Sequence, residues 1–256
     1  MKEIIDFRII ENLHLSADSV LLKLTPADGS SLPICVPGQF VEVQVPESAG
    51  VLLRRPISIN FVDEQINQLW LLVRNAGKGT SALCKMKSGE LLNIVLPLGN
   101  GFTMPGEDTR RVLLVGGGVG VAPLLLLGRQ LLGRGIKPDF LLGARNEKDL
   151  LELDLFEQIG NVFITTDDGS KGVHGVVTDH DIWTSSFDMI YCCGPMPMMK
   201  AVASAARKKN TACEVSLENM MACGLGACLC CVEPTVKGNV CVCTEGPVFN
   251  IDKLLW

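Results

Sequence analysis

Six of the chain's eleven cysteines fall within the 21 residues from Cys223 to Cys243, and no other stretch restricts the fold so severely. Cys223, Cys228 and Cys231 stand at C-x4-C-x2-C, and Cys243 follows twelve residues after Cys231. That is the spacing of a plant-type 2Fe–2S cluster, in which one loop supplies three thiolates and a later turn the fourth. Gly224 and Gly226 suit such a loop, because glycine admits positive φ and lets backbone N–H groups approach the bridging sulfides. A cluster of this kind passes single electrons, so the chain reads as an electron carrier. A structural zinc site built from Cys228, Cys231, Cys241 and Cys243 is a second reading, and a disulfide framework a third. Zinc needs neither the cysteine at the x4 position nor the glycines. The odd cysteine count, the length and the lack of a secretory pattern weigh against disulfides. Cys230 and Cys241 are surplus to the four expected ligands and leave the ligand choice open.

Composition narrows the class. A chain of 256 residues has room for two ordinary domains and a small appendage, and 47% apolar residues supply real cores. A net charge of −5 excludes a nucleic-acid footprint. The N-terminal MKEIIDFRIIENLHL mixes acidic with apolar residues and is not expected to be a signal peptide. The longest uncharged run, Val112 to Gly128, carries five glycines and a proline over 17 residues. It reads as strand, turn and helix rather than a membrane span. Abundant cysteine without a signal implies a reducing cytoplasm.

Along the chain, VLLKL (20–24), FVEVQV (40–45), LWLLVR (69–74) and LLNIVL (91–96) are short apolar or alternating runs separated by turn residues. They predict a β-barrel or sandwich. A short helix is expected from Thr80 to Met86, with Thr80 as its cap. Near residue 110 the pattern changes to alternation. Strands are expected at 112–116, 140–144, 161–166 and 188–194, and helices at 123–135, 149–159 and 197–209. This order means a doubly wound parallel sheet. A last strand, 212–217, leads into the cysteine loop. The expected fold class is a multi-domain β plus α/β chain. It has an N-terminal antiparallel β-barrel (1–105), a doubly wound parallel sheet (106–213) and a small C-terminal iron–sulfur lobe (214–256).

Four motifs outside the cysteines carry chemistry. Arg54 to Ile59 reads RRPISI. Pro56 and Ile57 would form an apolar wall for a flavin ring, Ser58 would offer a hydroxyl and Arg55 a charge for phosphate; an ordinary strand end explains the residues equally well. Gly77-Lys78-Gly79-Thr80 runs into a helix start that could hold a pyrophosphate, or is a plain turn and cap. Gly116-Gly117-Gly118-Val119-Gly120-Val121-Ala122-Pro123 follows a buried strand. Its spacing departs from the usual dinucleotide fingerprint, yet its strand–turn–helix setting suits a nicotinamide dinucleotide at Gly117, Gly118 and Gly120. Cys193-Gly194-Pro195 closes a strand at the sheet edge where such folds bind ligands, so Cys193 and Gly194 could lie beside a nicotinamide. A buried structural thiol is the simpler alternative. Asp167, Asp168 and Gly169 at the same edge could touch the dinucleotide or form a simple Asp-Gly turn. His14, His174 and His180 have no cysteine at ligand spacing and read as structural. No residue stands out as a catalytic acid, base or nucleophile.

In this order the motifs resemble the ferredoxin–NADP reductase superfamily. The tail narrows the resemblance. Met221 to Cys228 (M-A-C-G-L-G-A-C), Cys231, and Cys243-Thr244-Glu245-Gly246-Pro247-Val248-Phe249 are similar to the electron-transfer subunits of type B dihydroorotate dehydrogenases, over essentially the whole chain. The resemblance implies FAD on Arg55 to Ser58, Leu72, Val73, Arg74, Gly79 and Thr80, and a 2Fe–2S cluster on Cys223, Cys228, Cys231 and Cys243. It implies a cytoplasmic heterotetramer, two copies of this chain with two of an FMN-containing dihydroorotate dehydrogenase catalytic subunit. Electrons would pass from FMN through the cluster and FAD to NAD, a diffusible acceptor, in pyrimidine biosynthesis. A dihydroorotate-oxidising (β/α)8 barrel needs about 250 residues of its own, so that site is expected on the partner. Cys230, where the family usually has glycine, and Cys241 depart from the pattern. The alternative is a flavin and iron–sulfur subunit of an NAD(P)H–ferredoxin or sulfide-linked oxidoreductase. Those cluster loops tend to begin D-G-T-G-M-C-G, unlike Glu218 to Cys223 here.

Overall fold

The computed structural model describes residues 2–46 and 50–256. The chain divides into two compact units. The first comprises 1–101, 219–233 and 240–247; the second comprises 102–218, 234–239 and 248–256. Segment 214–256 is thus shared between them.

The first unit is a closed six-stranded barrel. Its strands are β1 (Glu3–His14), β2 (Ser19–Pro26), β3 (Phe40–Val43), β4 (Arg55–Asp63), β5 (Gln68–Arg74) and β6 (Leu91–Leu98), in the order β1-β2-β5-β4-β3-β6. All pairings are antiparallel. Phe7, Ile9, Leu22, Leu24, Ile59, Leu69, Leu71 and Leu92 fill it. Closure removes the free edges that an open sheet would leave. β1 is the strand that hydrophobic runs do not announce. Only Phe7 and Ile9 of its twelve residues point into the core, and a register shift between Ile9 and Glu11 breaks the alternation.

After β5 comes α1 (Lys78–Cys84). It starts two residues before the expected position, and Thr80 is not its cap. Gly77 is the capping residue, and Thr80 lies in the first turn with its hydroxyl turned back. Thr80 Oγ1 accepts the N–H groups of Ala76 (2.9 Å) and Gly77 (3.1 Å), satisfying donors that helix geometry leaves without partners.

The second unit is built on a seven-stranded sheet. β7 (Val112–Gly117), β8 (Asp139–Ala144), β9 (Asn161–Thr166), β10 (Val173–His174), β11 (Met189–Cys193), β12 (Ala212–Ser216) and β15 (Val248–Asn250) lie in the order β10-β9-β8-β7-β11-β12-β15. All pairs are parallel except β12 with β15. Helices α2 (Ala122–Gly133), α3 (Leu153–Ile159) and α4 (Met196–Lys208) connect the strands. β7 is buried throughout, as a central parallel strand covered on both faces must be. The expected helix at 149–159 is shorter than its apolar pattern. Glu152 sits at φ 55 in the left-handed region and interrupts it, so only Leu153–Ile159 is helical. The strand order reverses beside β7, between β8 and β11, and there open α/β sheets bind ligands at their C-terminal edge. After β12 the chain runs through the cysteine loop, a hairpin of β13 (Val232–Thr235) and β14 (Gly238–Cys241), and the short helix α5 (Val242–Glu245) before β15.

Candidate functional site

Two of the barrel's sequence motifs meet in space. Arg55 begins β4 and Gly79 lies in the first turn of α1. A Cβ on Gly79 would stand 2.6 Å from Arg55 Nε, so glycine is what allows the guanidinium to lie flat on the helix start. Arg55 Nη1 donates to the carbonyls of Leu53 and Arg54, each at 2.9 Å, which fixes the fork. Pro56, Ile57 and Ser58 follow on β4, half-buried. They pair with Glu42, Val41 and Phe40 of β3. Leu72 and Val73 are buried side chains of β5 that offer a ligand only backbone. Arg74 is engaged by Asp18 at 3.1 Å.

In the second unit the glycine loop and the Cys-Gly-Pro loop pack backbone on backbone at the C-terminal ends of β7 and β11. A Cβ on Gly120 would stand 2.5 Å from Gly194 Cα and 2.6 Å from the Cys193 carbonyl. One on Gly117 would meet Met198 Sδ at 2.6 Å. Gly118 is different: its φ is +54 and nothing lies within 4 Å of its Cβ direction. Gly117 and Gly120 therefore close the wall, and Gly118 presents open backbone. Gly194, at φ +156, is confined by Met198 and Gly117. Cys193 is fully buried, and burial raises its pKa well above that of a free thiol, so it is a neutral group. At the neighbouring edge, Asp168 Oδ1 accepts the Ser170 N–H at 2.9 Å, and Gly169 has φ +71. This is the turn expected there.

The cysteine loop belongs to the barrel unit, and three backbone N–H groups are turned onto its sulfurs. Leu225 donates its N–H to Cys223 Sγ at 3.4 Å, Gly226 to Cys243 Sγ at 3.2 Å, and Cys243 to Cys231 Sγ at 3.4 Å. The Leu225 N–H, acting against burial and helped by Cys228 and Ala227, lowers the Cys223 pKa. Burial and then Cys231 raise that of Cys243. Gly224 and Gly226 have φ +65 and +84, the left-handed conformations that turn these N–H groups inward. Among the described residues, no three His, Cys, Asp or Glu side chains close on one point as a single metal ion would need. Backbone N–H groups aimed at three of these four sulfurs, set at plant-type spacing, suit a 2Fe–2S core, whose sulfurs take such bonds.

A residue that the sequence reading did not single out lies beneath this loop. Glu42 of β3 is 1% exposed, and neither carboxyl oxygen has a hydrogen-bond partner among the described residues. A Cβ on Gly224 would stand 2.8 Å from Glu42 Cγ. Burial pushes the Glu42 pKa up to about 7; Arg54 pulls it down, and Cys223 adds to the rise. The only sequence signal was an acidic residue inside the apolar run FVEV.

Residues 218–255 match the iron–sulfur cluster binding domain of dihydroorotate dehydrogenase B, and residues 114–204 match the oxidoreductase NAD-binding domain. The dihydroorotate dehydrogenase B (NAD(+)) electron transfer subunit of Shouchella clausii is 42% identical over 227 residues, 86% of each chain. The chain belongs to this family of electron transfer subunits. Its Bacillus mycoides relative is 40% identical over 226 residues, again 86% of each. A solved structure of the NADH-dependent reduced ferredoxin-NADP oxidoreductase has a TM-score of 0.87 at 30% identity, covering 98% of this chain and 90% of that one. Phthalate dioxygenase reductase shares the fold, with a TM-score of 0.67 at 19% identity over 94% of each chain. Like its family, the chain is an oxidoreductase subunit that moves electrons between an iron–sulfur cluster and NAD. No helix among the described residues is long and apolar enough to cross a membrane.

Proposed function

We propose that this chain carries electrons from the FMN of a dihydroorotate dehydrogenase catalytic subunit, through a 2Fe–2S cluster and FAD, to NAD. The assembly is a cytoplasmic heterotetramer with two of each subunit. The FAD-binding segment is 1–105, the NAD-binding segment 106–213 and the cluster segment 214–256. The observation that carries this reading is the set of backbone N–H groups turned onto the sulfurs of Cys223, Cys231 and Cys243, with Cys228 at the remaining position of the spacing. Cys228 is exposed, and Met220 (83% exposed), Leu225 (52%) and Leu229 (65%) of the same segment present apolar side chains to solvent. Such a rim suits a docking partner.

Bound FAD would supply the conversion between single electrons and the hydride that NAD takes up. The chain's residues bind and orient. Arg55, held flat on Gly79, places a fixed positive charge at the α1 start for a pyrophosphate. Thr80 ties the helix start to the preceding residues by accepting the Ala76 and Gly77 N–H groups. Pro56 and Ile57 form the wall for the flavin ring, and Ser58 offers a hydroxyl. Leu72 and Val73 contribute backbone, with Arg74 beside them. In the NAD segment, Gly118 gives open backbone to the dinucleotide. Gly117, Gly120 and Gly194 close the loops behind it, and Cys193 is a small neutral floor. At the cluster, the Leu225, Gly226 and Cys243 N–H groups stabilise negative charge on sulfur.

The chain alone should reduce artificial acceptors with NADH and leave dihydroorotate untouched. Adding an FMN-containing dihydroorotate dehydrogenase subunit from the same organism should create NAD-linked orotate formation. Dihydroorotate oxidation by this chain alone would overturn the proposal, as would failure of that subunit to bind it. For the flavin site, Arg55→Ala should weaken FAD retention by about 2 kcal/mol, the scale of a charge-assisted hydrogen bond. Release of FMN rather than FAD on heating would refute the pyrophosphate assignment.

A further inference from the structure

The loops that follow β8 and β9 are tied to each other. Asp167 donates its N–H to the Ala144 carbonyl at 3.0 Å and Asp168 to that of Arg145 at 3.2 Å, so the strand ladder continues over the edge of the sheet. Segments 145–149 and 167–171 set three cations, Arg145, Lys148 and Lys171, against four carboxylates, Glu147, Asp149, Asp167 and Asp168. Two of the cations are clamped. Arg145 Nε donates to Asp149 Oδ2 at 3.0 Å, and the Asn146 side-chain amide donates to the same oxygen at 3.1 Å. Lys171 Nζ reaches across the two loops to Glu147 Oε1 at 3.3 Å. The Glu147 N–H donates to Ser170 Oγ at 2.8 Å, and Asp168 Oδ1 accepts from the Ser170 N–H and hydroxyl. The loops therefore present their carboxylates in fixed places, with the cations already matched.

With the nicotinamide at Cys193 and Gly194 on the β11 side and the phosphates at Gly118 after β7, the adenosine half extends the other way. It lies over the ends of β8 and β9, which follow β7 at about 5 Å per strand. At such an edge an acidic residue takes the ribose 2′-hydroxyl, whereas an arginine takes a 2′-phosphate. By sequence Arg145, the first residue after β8, is that arginine, and it points to NADP. The fold reverses the reading, because Asp149 already holds its guanidinium. We propose that Glu147 and Asp149 make this chain select NAD over NADP: by clamping Lys171 and Arg145 they leave the adenosine ribose facing net negative charge, which repels a 2′-phosphate. The inference rests on the NAD placement proposed above. A phosphate dianion about 4 Å from a carboxylate is disfavoured on the order of tenfold even in water. Exposed ion pairs contribute little to stability, so removing the acids should release the cations without unfolding the loops.

The test uses the full chain with its flavin and cluster, reducing an artificial acceptor with NADH or NADPH. Calorimetric titration with adenosine 5′-monophosphate and adenosine 2′,5′-bisphosphate reads the adenosine half without turnover. Wild type should bind the monophosphate more tightly and should use NADH with kcat/KM about tenfold or more above that for NADPH. Glu147→Gln/Asp149→Asn should raise the NADPH-to-NADH ratio of kcat/KM about tenfold and strengthen bisphosphate binding in parallel. Adding Arg145→Ala and Lys171→Ala should remove both gains, because the released cations are what receive the phosphate. Equal use of the two dinucleotides by wild type would overturn the proposal. So would an unchanged ratio in the double variant, or gains that survive loss of both cations. Should the double variant fail to fold, Glu147→Gln alone releases Lys171 and should raise the ratio severalfold; a wild-type ratio there would also refute the proposal. Gly118→Ala separates the two levels of inference. It should weaken NADH and NADPH alike, and if it weakens neither, the placement of the dinucleotide fails instead.

Discussion

The cysteine loop on the barrel unit and the paired glycine loops on the sheet unit solve opposite problems. At the sheet, the ligand wall is made by excluding side chains: Gly120 lies on Gly194 with no space for a methyl group, and Gly118 alone faces open space. At the cysteine loop, side chains are the proposed ligands, and glycines at positive φ accompany N–H groups turned toward sulfur. The glycine wall should therefore be sensitive to volume and indifferent to charge. The cluster loop should be sensitive to donor atoms and to the charge beneath it. Backbone-on-backbone contact cannot relax, whereas a side-chain donor can rotate.

The comparison is broken most directly by removing a donor. Cys228→Ala should abolish the reduced-cluster EPR signal while leaving most NADH-to-dye activity, since that activity draws on the flavin and sheet sites. Parallel loss of both would mean that the two sites are not separable. Gly120→Ala should cost about 3 kcal/mol, the upper end for overpacking, because its obstacle is the Cys193–Gly194 backbone. Denaturant midpoints and NADH affinity should both fall, and a neutral outcome would show that the loops can part.

Glu42 sharpens the contrast through pH. Its pKa rises from 4.5 to about 7 in the folded chain, so the folded state favours the protonated form. The resulting stability is complete below pH 4.5 and is lost as pH rises through 7. Relative to Glu42→Gln, the wild type should lose about 2 kcal/mol between those limits, because the surroundings of a buried charge relax when it forms. Parallel pH profiles for the two proteins would remove Glu42 from the account. The smallest effect belongs to Thr80→Val, which removes the acceptor for two N–H groups while keeping the shape. About 1 kcal/mol is expected, with recovery in Thr80→Ser, measured by thermal unfolding.

Much of this was legible in the chain. Apolar runs located β2, β3, β5 and β6, and strand–helix alternation fixed the parallel sheet, because a buried central strand leaves an uninterrupted apolar signature. Cysteine spacing pointed to the segment that matches the iron–sulfur cluster binding domain, since ligand intervals are a local property of the chain. β1 was not legible, because a strand with two core-facing residues and a bulge carries no periodic signal. The left-handed Glu152 that shortens α3 and the backward-turned Thr80 were equally hidden, both being decided by local backbone geometry rather than residue type.

The sequence by itself determined which atoms this protein can offer: four thiolates at cluster spacing, a fixed arginine charge, and glycines where backbone must be approached. Only the tertiary structure decided what those atoms meet. It set Arg55 on Gly79, pressed Gly120 against Gly194, buried Glu42 beneath Gly224 and paired Lys171 with Glu147. The reason is physical: spacing along a chain constrains only neighbours within a turn or a loop. Contacts between residues more than a hundred positions apart, such as Glu42 and Gly224, depend on how the barrel closes and where the returning segment packs.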